Sequence, residues 1–333
     1  MAEIIDEFTA LIPDIASPQN QWALRTMREY CTRGGKHIRG ALAAATYDHL
    51  TGQMFSAKGI TLAAAVELMH NYLLIIDDVM DQSPIRRGKK TVHELYRDEY
   101  PDASVFETDM MAINVGLLVQ HISGLAVAEL DGSVQLEKVM HRNIAITGLG
   151  QIDDMYQKIA RATTPEEILA KYTKKSSFYT FVNPVECAYA LAGRYDQAVH
   201  SACVRYGVPA GIAFQLHDDY LGVFGDSEVS GKANLDDIHE GKTTLLVIEA
   251  LRLADKTDRE SLRRIIGNHQ AGKEELLKTR AIIQSSGARD AVQATTHDLV
   301  EEAKKAAATC DVWDGDYGKF LVELVSYATE RTS

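Results

Sequence analysis

Apolar positions recur at helical spacing through nearly the whole chain, and polar turns separate the apolar stretches. The pattern predicts helices over 3–12, 19–32, 40–50 and 57–81, then two more through MMAINVGLLVQHISGLAVAEL and VQLEKVMHRNIAITGLGQIDDM. A Pro-Glu-Glu start opens a further helix over 165–174. KKSSFYTFVNPVECAYALAG continues helically with Pro184 inside it, which predicts a bend and a carbonyl released near Thr180. A long helix from 196 to about 224, then helix after helix over 243–331, completes the series. Neither a period-two strand series nor a βαβ alternation is present. The expected fold is all-α, with one large domain spanning 1–333.

Composition agrees. Of 333 residues 46% are hydrophobic and only seven are proline, enough apolar material for a large core rich in good helix formers. The N-terminus MAEIIDEFTALIPDI carries acids where a secretory leader carries bases. No uninterrupted apolar run reaches roughly 18 residues, so stable membrane insertion is not expected. Cys31, Cys187, Cys203 and Cys310 form no CxxC pair and are expected to be buried free thiols in a reducing cytoplasm. A net charge of −12 argues against a nucleic-acid partner, and requires local cation clusters if the substrate is itself polyanionic.

One stretch, Thr61–Thr91, concentrates the chemistry. Asp77 and Asp81 stack one turn apart on one helix face, with His70 two turns below and Arg86, Arg87, Lys89 and Lys90 just beyond. A lone DDxxD is often only a solvated helix end, but this one emerges from the apolar segment Leu68–Val79. Carboxylates on one side, cations on the other and magnesium between them suit a diphosphate, because magnesium takes one or two carboxylates plus phosphate oxygens and waters. A second acidic cluster, FQLHDDYLGVFGD, places Gln215 and Asp218 at i, i+3 with Asp219 adjacent. Gly34-Gly35 followed by Lys36 and Arg39 reads alone as a glycine C-cap with solvated bases, and Gln151 with Asp154 as a polar surface pair. A glycine- and lysine-bearing loop, SEVSGKANLDDIHEGKTT, contributes Lys232 and Lys242. Neutralising a diphosphate makes it a better leaving group, and an allylic carbon would leave as a resonance-stabilised cation that an apolar helical interior suits.

The ordered set GGKHIRG (34–40), DDVMDQSPIRRG (77–88), GQIDD (150–154), KSSFYTF (175–181), FQLHDD (214–219) and GK at 231–232 and 241–242 resembles the trans-isoprenyl diphosphate synthases of the polyprenyl synthetase family. That resemblance implies a helical barrel of the isoprenoid synthase type with a central apolar cavity. It implies a magnesium-dependent condensation of isopentenyl diphosphate with allylic diphosphates, and a homodimer. By the same resemblance Asp77, Asp81 and Asp218 would bind three magnesium ions, and Arg86, Lys175, Lys232 and Lys242 would contact the allylic diphosphate. Gly35, Lys36, Arg39, His70 and Arg87 would hold isopentenyl diphosphate. Gln151 and Asp154 would line the allylic site, Gln215 would sit beside Asp218, and Ser176 and Tyr179 would lie near the reacting carbons. One departure stands out: the last position of the second acidic motif is Gly222, so DDYLG lacks a carboxylate there. Asp218 remains, and the third metal site is expected to survive.

Tyr72 and Leu73, five and four positions before Asp77, predict a floor for the growing tail, since each helical turn rises about 5.4 Å. One aromatic there resembles geranylgeranyl-type enzymes and predicts a C20 product, with C15 or longer products as the alternative. Two other readings compete. A class I terpene cyclase would carry an asparagine-rich second motif and have no use for GGKHIR. A non-catalytic regulatory subunit would tend to lose its acidic motifs, and this chain keeps them.

Overall fold

The structure, a computed structural model, describes residues 1–10, 17–131, 133–160, 163–225 and 236–330. Helices follow one another along the chain, and among the described residues the only sheet is one two-stranded hairpin. The contacts divide the chain into two compact units, Met1–Val139 with Cys187–Arg194, and Met140–Glu186 with Tyr195–Ser333.

In the first unit α1 (Ala2–Ala10), α2 (Pro18–Cys31) and α3 (Ile38–Thr51) lead to the 25-residue α4 (Ala57–Asp81). Ser56 caps α4 by accepting the Gly59 N–H, and Gln82, in the left-handed region, ends it. The basic segment beyond α4 is a tight hairpin, β1 (Ile85–Arg86) against β2 (Lys89–Lys90). Arg87 (φ 54°) and Gly88 (φ 72°) make its two-residue turn with positive φ at both positions, the conformation whose twist matches paired strands. α5 (Val92–Glu99) and α6 (Val105–Ala128) follow, the latter opened by a Ser104/Glu107 capping box. α4 packs along α6, and Leu68, Ile75, Val119 and Ile122 are at most 1% exposed in that core. α4 and α6 are each long and apolar enough to cross a membrane by length and composition, which the search for unbroken apolar runs missed; roughly half of each is buried against protein.

α7 (Ser133–Ala160) runs on into the second unit. Thr164 and Glu167 form a capping box with Pro165 in the first turn of α8 (Pro165–Tyr172). The expected proline kink takes another form. Thr173–Val182 is a ten-residue π-helix that runs straight into α9 (Asn183–Leu191), and Pro184, which has no N–H to donate, lies just past the switch. α10 (Gln197–Phe224), capped by Asp196, packs on the π-helix and on α15 (Ala288–Ala308). Before α15 come α11 (Asp236–His239), α12 (Leu245–Leu253), α13 (Lys256–Ile265) and α14 (Lys273–Ser285), and α16 (Gly315–Glu330) follows it. Ile168, Leu216, Leu246 and Ile283 anchor the core of this unit. All four cysteines are buried and free, as expected, and burial pushes the Cys31 thiol up to about 12.

Candidate active site

The acidic end of α4 separates into two chemistries. Asp77 and Asp81 are half-buried, whereas Asp78 is only 1% exposed. Asp78 accepts the Tyr30 hydroxyl at 2.7 Å and Arg86 Nε at 2.8 Å, and pairs with Arg86 Nη2 as well. The same guanidinium lies 3.8 Å from Asp77. Burial works against the charge of Arg86, but Asp78 outweighs it and raises the guanidinium above its ordinary value. The hairpin thus folds Arg86 back onto the helix that carries the metal candidates.

Its turn carries Arg87 towards the GGKHIRG segment. Arg87 Nη1 donates to the Arg33 carbonyl at 3.3 Å and to Asn71 Oδ1 at 3.4 Å. A Cβ on Gly35 would stand 3.3 Å from the Arg87 guanidinium carbon, so glycine leaves room for that side chain. Arg39 Nη1 lies 3.4 Å from His70 Nε2. Burial, then Arg39 and Arg87, holds His70 well below the usual histidine range, so a neutral imidazole faces Arg39. Lys36 is exposed beside them in sequence. Glu67, 4% exposed, fixes the start of α3 by accepting the Gly40 N–H at 2.8 Å and pairing with His37 Nδ1 at 2.9 Å. Gly35, Arg39, His70 and Arg87, predicted as one group, are therefore gathered within the first unit.

The second unit holds a parallel arrangement. Asp154, expected to line the allylic site, is 3% exposed and clasped between Lys171 Nζ (2.8 Å) and Lys175 Nζ (2.7 Å). Burial alone would raise its carboxyl; Lys175 and Lys171 outweigh that and hold it well below the usual carboxylate range. Ser176 donates to Gln215 Oε1 at 2.7 Å, and Gln215 Nε2 donates to Asp219 at 3.0 Å. Asp219, 1% exposed, also accepts the Tyr172 hydroxyl and lies 3.3 Å from Lys242. Asp218 and Tyr179 are half-buried, as is Gln151. Lys232 lies outside the described residues.

In each unit, then, one aspartate of the adjacent pair is left partly exposed and its neighbour is buried under a tyrosine hydroxyl with a cation attached. Asp77, Asp81 and Asp218 are the residues suited to hold a metal. Among the described residues no three His, Cys, Asp or Glu side chains form a closed cage. Such an open donor set fits magnesium, which fills its octahedron with phosphate oxygens and waters, and does not fit a metal that needs an all-protein site.

The sequence reading placed Asp78 and Asp219 in their acidic clusters without giving them a role, and overlooked Lys171, Tyr30 and Tyr172. Lys171, one turn before Lys175, had a legible signal in its spacing. The tyrosines had none, being 48 and 47 residues from the carboxylates they meet.

Comparison with known proteins bears on the family and the fold. Residues 20–283 match the polyprenyl synthetase family. A short chain isoprenyl diphosphate synthase of Methanothermobacter thermautotrophicus is 33% identical over 92% of this chain and 90% of that protein. A geranylfarnesyl diphosphate synthase of Aeropyrum pernix is 28% identical over 98% of both. The crystal structure of a geranylgeranyl pyrophosphate synthase from Corynebacterium glutamicum, complexed with isoprenyl diphosphate and magnesium, superposes with a TM-score of 0.89 at 26% identity, covering 99% of this chain and 96% of that one. The all-α fold is that of the isoprenoid synthases. With this fold and a family match across most of its length, the chain belongs to the polyprenyl synthetase family and is a prenyltransferase.

Proposed function

We propose that this prenyltransferase condenses isopentenyl diphosphate with an allylic diphosphate and releases diphosphate. The observation that carries the reading is Arg86 locked on buried Asp78 beside the half-exposed Asp77, a cation and a carboxylate prepared for one metal-bound phosphate group. Asp77, Asp81 and Asp218 would hold three magnesium ions, which when bound neutralise the allylic diphosphate and make it a leaving group. Arg86, Lys175 and Lys242 bind that diphosphate, joined by Lys232. Gly35, Lys36, Arg39, His70 and Arg87 hold isopentenyl diphosphate, with neutral His70 donating or accepting a hydrogen bond without adding charge. The allylic carbon–oxygen bond breaks, the isopentenyl double bond supplies the electron pair for the new carbon–carbon bond, and a proton then leaves to the released diphosphate. Ser176 and Tyr179 stand near the reacting carbons, where hydroxyl dipoles stabilise developing positive charge. Gln151 and Gln215 orient the cations around them.

The product is proposed to be C20. Tyr72 is half-buried and packs against the core of the first unit, with Leu73 beside it in sequence. Named relatives include both a geranylgeranyl and a geranylfarnesyl synthase, so family membership does not choose a length. Purified protein with magnesium, isopentenyl diphosphate and C5, C10 or C15 primers, read by mass spectrometry, tests both levels. A dominant C20 product that lengthens in Tyr72→Ala supports the floor. A C15 or C25 product discards the floor and keeps the reaction; no condensation with any primer sinks the reaction itself.

A further inference from the structure

The π-helix Thr173–Val182 bears Lys175, Ser176 and Tyr179, and its ten residues far exceed the single turn in which π geometry usually occurs. A wider helix needs room, and glycines supply it. A Cβ on Gly150 of α7 would stand 2.3 Å from Lys175 N and 2.7 Å from Lys175 Cα. One on Gly211 of α10 would stand 2.3 Å from Ser177 Cα and 2.5 Å from Ser177 Oγ. Apart from Ser177 Oγ these are backbone contacts, so no change of rotamer relieves them. Ser177 closes the joint, its one hydroxyl proton shared between the Tyr172 carbonyl (3.3 Å), five residues back, and the Val208 carbonyl of α10 (3.1 Å). Between the two glycines the backbone of Lys175–Ser177 is gripped from both sides. The side chains there make two short contacts, Lys175 to Asp154 and Ser176 to Gln215, both at 2.7 Å.

We infer that Gly150 and Gly211 are positioning residues: they form a slot that holds the π-helix in the register at which Lys175 meets the allylic diphosphate and Ser176 the reacting carbon. The inference rests on the function proposed above for Lys175 and Ser176. Gly207 provides an internal control. Its Cβ would stand 2.7 Å from Val182 Cγ2, at the far end of the same π-helix, seven residues from Lys175.

The experiment is steady-state kinetics of Gly150→Ala, Gly207→Ala and Ser177→Ala with each substrate varied, alongside thermal melts. Because a misplacement of about 1 Å can cost about a hundredfold, Gly150→Ala is expected to lower kcat about a hundredfold and raise KM for the allylic substrate about tenfold, with KM for isopentenyl diphosphate within about twofold. Gly207→Ala is expected to lose comparable thermal stability with both KM values within about threefold of wild type. Equal kinetic changes in the two variants, or an unchanged allylic KM in Gly150→Ala, overturn the slot. If Gly150→Ala does not fold, Ser177→Ala decides, with an expected rise of about fivefold in allylic KM and refutation if none is seen. If wild type shows no condensation, the proposed function falls instead. The slot is then judged by calorimetric binding of magnesium pyrophosphate, which Gly150→Ala should weaken about tenfold and Gly207→Ala should leave alone; equal affinities refute it.

Discussion

Asp78 shows how a single buried charge divides labour within an acidic motif. Its carboxylate is satisfied by Tyr30 and Arg86, so it is set to fix a cation rather than to bind a metal. Removing one partner of a buried ion pair costs about 3–5 kcal/mol, because the other is left uncompensated. Asp78→Asn is therefore expected to lower unfolding free energy by that order in a urea titration. Tyr30→Phe removes only one hydrogen bond to a charged group and should cost about 1.5–3 kcal/mol. Equal losses in the two variants would show that Arg86 is not the partner that matters. Asp154 makes a companion case with a pH signature. Its folded carboxyl lies below its unfolded value, so its contribution is present above the unfolded value and is lost as pH falls through the folded one. In Asp154→Asn that acid-side dependence disappears. Lys171, already lowered chiefly by burial, then has a folded value still further below the unfolded one. The unfolded chain binds the extra proton, so the variant should gain stability as pH rises towards the ordinary lysine value of about 10.4. Melts across pH check this; a variant whose stability is flat on the alkaline side contradicts it.

At the scale of elements, periodicity and punctuation identified the long helices to within a few residues, because α4, α6 and α10 repeat their apolar positions over many turns. It did not identify the hairpin or the π-helix. Two-residue strands are too short to show a period, and Arg87-Gly88 is a weaker turn signal than Asn-Gly. The π-helix depends on glycines 25 and 34 residues from the backbone they admit, which no local window contains. The candidate site was legible to the same degree. Most of its charged residues lie in short motifs and were named, Lys171 excepted, while the tyrosines that meet Asp78 and Asp219 came from elsewhere in the chain. The hairpin turn offers a clean test, since Gly88 has φ 72° and a Cβ there would meet nothing within 4 Å. Gly88→Ala thus brings left-handed backbone strain without a clash, at about 1–2 kcal/mol per residue. The expected result is a loss of about 1 kcal/mol in unfolding free energy with a raised KM for isopentenyl diphosphate, because Arg87 shares the turn. An unchanged KM would separate the turn from the pocket.

For the molecule as a whole, the question is what covers α6. Its inner side is buried in the first unit, yet Phe106, Met110, Met111, Leu117 and Leu125 are exposed on the helix, with Leu117 42% and Phe106 70% open. Met110, Leu117 and Leu125 recur at seven and eight residues, so they form one stripe along the helix. An apolar stripe of this length on a chain of net charge −12 suits an interaction surface, with a membrane or a second copy of the chain as its occupant. Two features favour the second copy. The stripe lacks the Lys/Arg-rich flank of a helix that lies on a lipid surface: its exposed polar neighbours include Glu107, Asn114 and His121. A self-complementary helix face is also what a two-fold homodimer requires. Met110→Glu with Leu117→Glu places four charges in a symmetric interface of like chains, enough to dissociate it. Wild type is expected to elute as a dimer by light scattering and the double variant as a monomer, with neither pelleting with vesicles. A monomeric wild type that binds vesicles, and a variant that does not, would assign the stripe to a membrane instead.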